Sequence, residues 1–209
     1  LSLHSGELTL IKYQMNWPGA GDPYYNSDGG FRRSLYRCNG VPTLYAGGKV
    51  PGLHTSELLT SSLNSEKNRK TYLSIAANHV LNLSSRQISL EVNITPYVNS
   101  AEFHLYIAVV EKETNANART NGETSFHNVM MKMIPDGRGT LLNLTGGIPL
   151  KMNFTASLSN TNIEEFSDLA VVVFVQNNET KEIVQSAYSS VLNTHTAQNI
   201  QTDRFAAEV

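Results

Sequence analysis

Alternation of apolar and polar residues runs through the second half of the chain and limits the folds it can adopt. It is clearest in ISLEVNIT (residues 88–95), FHLYIAV (103–109) and LKMNFTASL (150–158). A period of two places the apolar side chains on one face of a strand, as in antiparallel sheets that have one face against a core. We therefore predict three half-buried antiparallel strands here.

Four more segments have strand character. They are YLSIAA (72–77), HNVMMKMI (127–134), DLAVVVFVQ (168–176) and KEIVQSAY (181–188). Seven short strands separated by turns rich in Asn, Gly and Thr predict an immunoglobulin-like β-sandwich over residues 67–190. This half has neither a Trp nor a pair of Cys residues, so the expected similarity to antibody domains is one of architecture. Residues 191–209 show no period and are predicted to be a flexible tail or linker.

The first 66 residues mix helices with strands, which indicates an α/β domain. The predicted elements are a strand at LTLIKYQM (8–15), a long turn-rich loop, a helix at FRRSLYR (31–37) capped by Asp28, a turn and short strand at GVPTLYAGG (40–48), and a helix at TSELLTSSLNSEK (55–67). The expected fold class is thus α/β plus all-β, in two domains.

Composition excludes several classes of function. A net charge of −2 and a charged fraction of 16% give no basic field for a phosphate backbone, which argues against nucleic acid as a partner. No window approaches the roughly 18 apolar residues of a membrane-spanning helix, so we expect no transmembrane segment. An apolar fraction of 40% is enough to form a sizeable core.

The cysteine and histidine residues form no recognisable catalytic or metal-binding motif. The single cysteine, Cys38, cannot form a C-x-x-C pair, and it follows the predicted helix, where the helix dipole disfavours a thiolate. It is expected to be a packing residue. The six histidines show no metal-binding spacing. We therefore predict no catalytic residue, no metal site and no cofactor.

Two segments remain as candidate binding sites. In YRCNGVPTLYAGG (36–48), Pro42 follows an Asn-Gly turn, a position where an X-Pro bond adopts the cis form at small cost. The second is the loop WPGAGDPYY, which carries Trp17, Asp22, Tyr24 and Tyr25. Its aromatic rings could stack on a sugar or anchor a peptide, and packing over a sheet edge is an equal alternative.

The order of several motifs resembles the Bacteroidetes family of 28 kDa outer-membrane proteins. The motifs are YQMNWPGAGDPYYN, RRSLY followed by NGVPT, FHNVMMKMIPDGRGT and VQNNETKEIVQSAY. The resemblance implies a thioredoxin-like domain joined to a β-sandwich, in a bacterial protein of the outer membrane, the cell surface or the secreted fraction. It also implies that Val41, Pro42 and Thr43 form a turn that faces an extended peptide.

The resembled thioredoxin fold needs a first strand and a dithiol helix that residues 1–66 do not contain. Omitting that strand would leave two unpaired edges, so we expect roughly 50 residues before Leu1 or a second chain that fills the gap. The leading hypothesis is a non-catalytic envelope protein for binding, adhesion or surface assembly, with a protein, peptide or glycan partner. The alternatives are a thiol-disulfide oxidoreductase with its C-x-x-C before Leu1, or a structural subunit, in a homo-oligomer or with another chain, completed by strand donation.

Overall fold

A computed structural model describes residues 8–49, 56–116 and 124–192 of the chain. Two α-helices precede the strands within these ranges, α1 (Ser27–Tyr36) and α2 (Ser56–Lys67). The strands are β1 (Leu73–Asn82), β2 (Gln87–Pro96), β3 (Phe103–Thr114), β4 (Phe126–Ile134), β5 (Thr140–Leu141), β6 (Leu150–Ser157), β7 (Leu169–Asn177), β8 (Ile183–Tyr188) and β9 (Ser190–Val191). All seven strands predicted for residues 67–190 are confirmed.

The strands form two sheets that face each other. One has the order β6-β2-β1-β9, and the other has the order β4-β3-β7-β8, with β5 paired to β3. Inward-facing residues of both sheets, such as Val92 and Ile94 of β2 and Ile107 and Val109 of β3, form the main core. Burial of these alternating side chains is the principal force that holds the two layers together.

Part of the chain with predicted features lies outside the described residues. This applies to residues 1–7 and 50–55 of the predicted thioredoxin-like domain, and to residues 193–209 of the predicted tail. Val191, which was expected to begin that tail, instead belongs to β9 and lies beside β1, where His79 is its partner.

Strands β3 and β7 are buried on both faces, so the prediction that β3 is half-buried is wrong. Tyr106, Ala108 and Val110 of β3 point away from the main core, and with Val172 and Phe174 of β7 they belong to a second buried cluster. Ile11 and Tyr13 pack against this cluster. The first part of the chain therefore covers the outer face of the five-stranded sheet.

The segment predicted as a strand at residues 8–15 crosses this outer face instead of joining a sheet. The hydroxyl of Thr9 donates to Ser186 of β8 at 2.7 Å, whereas the backbone N–H of Lys12 donates to Asn128 of β4 at 2.8 Å. Because the segment runs across the strands, it forms only one bridge, between Lys12 and Val129. The strand prediction for residues 8–15 is wrong for this reason.

The short strand expected after Pro42 is also absent from the described residues. Its last residue, Ala46, pairs only with Lys49, across the two-glycine turn at residues 47 and 48. Residues 8–15 and 43–46 therefore do not flank a gap in a sheet.

Helix α1 is anchored at its N-terminal end by two side chains with different roles. Asn26 caps the helix, since its Oδ1 accepts the N–H of Gly29 at 3.1 Å, so the prediction that Asp28 is the cap is wrong. Asp28 instead accepts the backbone N–H groups of Met133 and Gly137, both at 2.9 Å. A Cβ atom at Gly137 would lie 2.6 Å from the Asp28 carbonyl oxygen, so this close approach of helix and turn requires glycine.

Arg32 carries a positive charge from α1 into the second cluster. It is only 2% exposed, and its guanidinium carbon lies 4.2 Å from the ring centre of Tyr106 and 5.2 Å from that of Phe174. Its Nη2 donates to Oε1 of Gln176 at 2.7 Å. Neither Nε nor Nη1 has an acceptor in the described part of the chain, and no carboxylate there pairs with Arg32. The same Nη2 also donates to the hydroxyl of Tyr36 at 3.3 Å. Aromatic rings, one amide and one hydroxyl therefore stabilise this buried cation.

We expect Arg32→Ala to lower the free energy of unfolding by about 3 to 5 kcal/mol, because it removes a large buried side chain between α1 and the sheet. Arg32→Met keeps the apolar volume and leaves only the Gln176 oxygen unpaired, so the expected loss is about 1 to 2 kcal/mol. Urea unfolding of the three proteins measures both values. A loss below about 0.5 kcal/mol for Arg32→Ala would show that this contact does not hold the helix on the sheet.

Candidate functional site

The turn of residues 38–43 contains the three residues predicted to face a peptide. It follows the end of α1, where Arg37 adopts a left-handed conformation with φ of 51° and its N–H donates to the carbonyls of Arg33 and Ser34. Inside the turn, the hydroxyl of Thr43 donates to the Gly40 carbonyl at 2.6 Å. The Val41–Pro42 peptide bond is cis, a form that the sequence allowed but did not fix. Val41 is 40% exposed, and Pro42 and Thr43 are exposed as well.

Arg33 connects this turn to the predicted binding loop. Its Nε donates to the carbonyl oxygen of Cys38 at 3.1 Å, and its guanidinium carbon lies 5.0 Å from the ring centre of Trp17. The structure therefore brings Trp17 together with the turn, although the sequence treats them as separate candidates. The indole Nε1 of Trp17 is buried and has no acceptor within the described residues. We call Trp17, Arg33 and residues 38–43 the turn site.

The remaining residues of the predicted binding loop have other positions. Asp22 accepts the N–H of Tyr24 at 2.8 Å, which folds the loop back on itself. Tyr24 is 1% exposed and packs edge-on against Phe126 at a centroid distance of 5.9 Å. Tyr25 is half-buried, with its hydroxyl beside Gly30. Tyr24 therefore packs in the interior. Of the aromatic residues of the predicted binding loop, Trp17 is the one that belongs to the turn site, through its contact with Arg33.

A buried carboxylate supports the position of Tyr24. The Tyr24 hydroxyl donates to Glu164, and the N–H of Glu164 donates to Oε2 of Glu111 at 3.0 Å. The N–H of Glu165 also donates to Glu111, at 2.5 Å. Burial raises the pKa of the Glu111 carboxyl, and the bonds from Glu165 and Glu164 only partly oppose this. Glu111 thus fixes the backbone on which Tyr24 and its loop rest.

The turn site has a positive electrostatic character. Arg33 and Arg37 lie at the C-terminal end of α1, and neither forms an ion pair with a described acidic side chain. The thiol of Cys38 is half-buried and donates to the carbonyl of Gly40 at 3.2 Å. Among the described residues, no group of three or more His, Cys, Asp or Glu is arranged to hold a metal ion. The turn site thus places the exposed apolar side chain of Val41 near the cationic groups of Arg33 and Arg37.

A small cleft of about 280 Å³ lies next along the chain, between the turn at residues 46–49 and helix α2. Its lining residues are Ala46, Lys49, Ser61, Ser62, Ser65 and Glu66. Glu66 also pairs with Arg69 at 2.8 Å, so the acidic wall of the cleft is already neutralised. The cleft adds a polar surface but no reactive group.

Arg33 is the one member of the turn site that the sequence did not single out. Its spacing of five residues before Cys38 is a weak local signal, because a basic residue in the last turn of a helix commonly bonds to the terminal carbonyls. The contact with Trp17 depends on the path of residues 17–26 over the sheet, which no local pattern reveals.

Comparison with known families and structures places the chain among envelope proteins. A family model described as outer membrane protein Omp28 matches residues 32–196. HBP35 of Porphyromonas gingivalis is similar in structure, with a TM-score of 0.58 and 12% identity over 78% of this chain and 57% of that protein. A domain of the outer membrane lipoprotein Omp28 from Porphyromonas gingivalis gives a TM-score of 0.42 and 12% identity, over 59% of this chain and 90% of that one.

A comparison with curated proteins finds no match. Within the described part of the chain, none of the helices is long and apolar enough to cross a membrane.

Trp17 is the chain's only tryptophan, so its fluorescence reports on the turn site directly. We expect Arg33→Ala to shift the emission to longer wavelength, because the indole loses the guanidinium that covers one face, at a stability cost of about 1 kcal/mol or less. Arg37→Asn is the matched control, since asparagine tolerates the left-handed conformation at the end of the helix. An unchanged spectrum for Arg33→Ala, or an equal shift in both variants, would contradict the stacking.

The raised pKa of Glu111 predicts a pH-dependent difference between the wild type and Glu111→Gln. Because the fold favours the protonated carboxyl, the contribution of Glu111 to stability is complete below its ordinary pKa of about 4.5 and is lost as pH rises through the folded value. The stability of Glu111→Gln relative to wild type should therefore increase from about pH 4 to pH 7. Urea unfolding across this range tests it, with the exposed Glu113→Gln as control. A constant difference for Glu111→Gln would contradict it.

Proposed function

We propose that this chain, which belongs to the outer membrane protein Omp28 family, is a binding protein of the bacterial cell envelope that holds extended peptide segments at the turn site. The family consists of outer-membrane proteins, so the predicted envelope location is confirmed. The binding role is our inference from the site's geometry. The observation that carries it is the position of Arg33, which joins Trp17 to an exposed Val-Pro turn.

Three features of the turn site favour a peptide partner. Val41 offers an exposed apolar side chain, and the residues around it are also exposed, so the backbone of the turn is accessible from solvent. Arg33 and Arg37 add positive charge beside it, which suits carboxylates on the ligand. The third feature is the resemblance of this turn to that of thioredoxin-like proteins, in which the residue before the proline bonds to the backbone of an extended peptide. The described residues before β1 contain α1 and α2 but no strand, so we propose this resemblance for the turn alone.

The remainder of the chain serves as the scaffold in this proposal. We assign it to the immunoglobulin-like sandwiches, because β2 lies beside β6 in one sheet and β3 beside β7 in the other, as strands B and E and strands C and F do in that fold. We keep the proposed division into residues 1–66, 67–190 and 191–209, except that the second part extends to Leu192, which bonds to β1. The first part rests on the outer face of the second part's five-stranded sheet.

Catalysis of thiol-disulfide exchange has less support. The chain has one cysteine, and its thiol donates to a backbone carbonyl within its own turn. A completed oxidoreductase would require a dithiol from another part of a longer protein. Peptide binding at the turn site, in contrast, does not depend on a dithiol.

The proposal is tested by titrating synthetic peptides of about eight residues, with alternating Val and Glu or alternating Val and Lys, and recording Trp17 fluorescence. We expect the acidic peptide to bind and the basic one to bind more weakly. Val41→Ser should reduce the affinity about 5-fold to 10-fold, because the ligand loses an apolar contact. Val98→Ser is the matched control, since Val98 is 38% exposed but lies in the β2–β3 connection.

Two outcomes would contradict the proposal. One is the absence of binding by both peptides, and the other is an equal loss of affinity in Val41→Ser and Val98→Ser. Turnover of insulin disulfides by this chain alone would favour the enzymatic alternative.

A further inference from the structure

The two sheets have four outer edges, and the chain itself closes three of them within the described residues. The β4 edge receives Lys12, whose carbonyl accepts the N–H of Met130 at 2.9 Å. The β8 edge receives the turn before α2, where the Gly47 carbonyl accepts the N–H of Ile183 at 3.0 Å. The β1 edge is closed by β9. Among the edge strands of six or more residues, β6 alone has no partner in the described part of the chain besides its sheet neighbour, which is β2.

The open edge of β6 is regular along its whole length. Its pairing with β2 runs without a shift from Leu150 opposite Ile94 to Ser157 opposite Gln87. Just beyond, the N–H of Leu158 donates to the Arg86 carbonyl at 2.7 Å, and in an antiparallel pair such bonding repeats at every second residue. The backbone groups of the intervening residues therefore point away from β2. These residues are Lys151, Asn153, Thr155 and Ser157, and all four are exposed.

The devices that usually protect an edge strand are missing from β6. It has no proline and no bulge, and its only charged residue is Lys151. That ammonium group lies 2.6 Å from a carboxylate oxygen of Glu91 on β2, so it is drawn over the sheet and away from the edge. On the inner face, Leu150, Met152, Phe154 and Ala156 pack against the core but are only partly buried. The edge thus offers both unpaired backbone groups and apolar surface.

We propose that this edge is a homodimer interface, in which β6 pairs in antiparallel fashion with β6 of a second copy of this chain. Two copies of β6 are complementary both in charge and in the face of the sheet on which the paired side chains lie. A two-fold axis at Asn153 places Met152 opposite Phe154 on the inner face, and it places Lys151 opposite Thr155 on the outer face. No like charges then face each other, and the residues with outward backbone groups lie opposite one another.

This pairing joins the two four-stranded sheets into one continuous sheet across the dimer. It adds roughly six backbone hydrogen bonds, counted from the outward-facing residues of the two strands. It also covers the partly exposed Met152 and Phe154 side chains of both copies. The turn site is not involved, because it lies on the outer face of the other sheet.

The test is analytical ultracentrifugation of the protein from roughly 1 to 500 µM, with two pairs of variants. Asn153→Pro removes an N–H that points to the open edge and should give a monomer, whereas Asn153→Ala keeps that N–H and should remain a dimer. Thr155→Lys places two like charges opposite each other and should weaken the dimer about 5-fold, while Thr155→Glu faces Lys151 and should strengthen it. The opposite effects expected for Thr155→Lys and Thr155→Glu on the dimer affinity test the proposal even if Asn153→Pro fails to fold.

Amide hydrogen exchange measured by NMR shows whether the edge is covered by a second copy, is covered by another segment of the same chain, or is open. In the dimer, the amides of Lys151, Asn153, Thr155 and Ser157 should be protected at high concentration and should lose protection on dilution. A monomer in which these amides are unprotected would overturn the proposal. So would a monomer in which they are protected, since a segment of the same chain would then cover the edge. A dimer that neither Asn153→Pro nor Thr155→Lys weakens would also overturn it, because the contact would lie elsewhere.

Discussion

The buried guanidinium of Arg32 is the interaction on which the arrangement of this protein depends. A charge removed from water must be compensated, and here the compensation comes from the rings of Tyr106 and Phe174 and the amide of Gln176. All three belong to the outer face of the five-stranded sheet, whereas Arg32 belongs to α1. Within α1, Arg32 also contacts the hydroxyl and ring of Tyr36, but its shortest hydrogen bond and its nearest ring are supplied by the sheet. The first part of the chain and the sheet are therefore expected to behave as one structure.

This attachment explains where the accessible surfaces lie. With α1 held on the sheet, its C-terminal end projects the turn of residues 38–43, and Arg33, next to Arg32 in the sequence, reaches Trp17 and the Cys38 carbonyl. The same cover closes the edges of β4 and β8, at Lys12 and Gly47. Two of the surfaces left open are the turn site, beside the five-stranded sheet, and the edge of β6, in the four-stranded sheet.

The seven main strands could be predicted from the sequence because alternation is a local property of each segment. A short motif likewise showed that the bond before Pro42 could be cis. The path of residues 8–15 could not be predicted in this way. Their composition suits a strand, but their contacts, Ser186 and Asn128, lie far away in the sequence. A hint was present in VVVFV (171–175), whose unbroken apolar run is typical of a strand buried on both faces. The link between Trp17 and the turn had no such signal, because it arises only when α1 is docked.

The central claim, that residues 8–49 and the two sheets unfold as one unit, is tested most directly by native-state hydrogen exchange in low concentrations of denaturant. The amides of α1 (Ser27–Tyr36) and those of β7 (Leu169–Asn177) are the two groups to compare. If Arg32 couples α1 to the sheet, the most protected amides of both should exchange with the same free energy of opening and the same dependence on denaturant. Opening of α1 at a free energy more than about 2 kcal/mol below that of β7 would show that the first part of the chain is an independent unit, and would contradict this coupling.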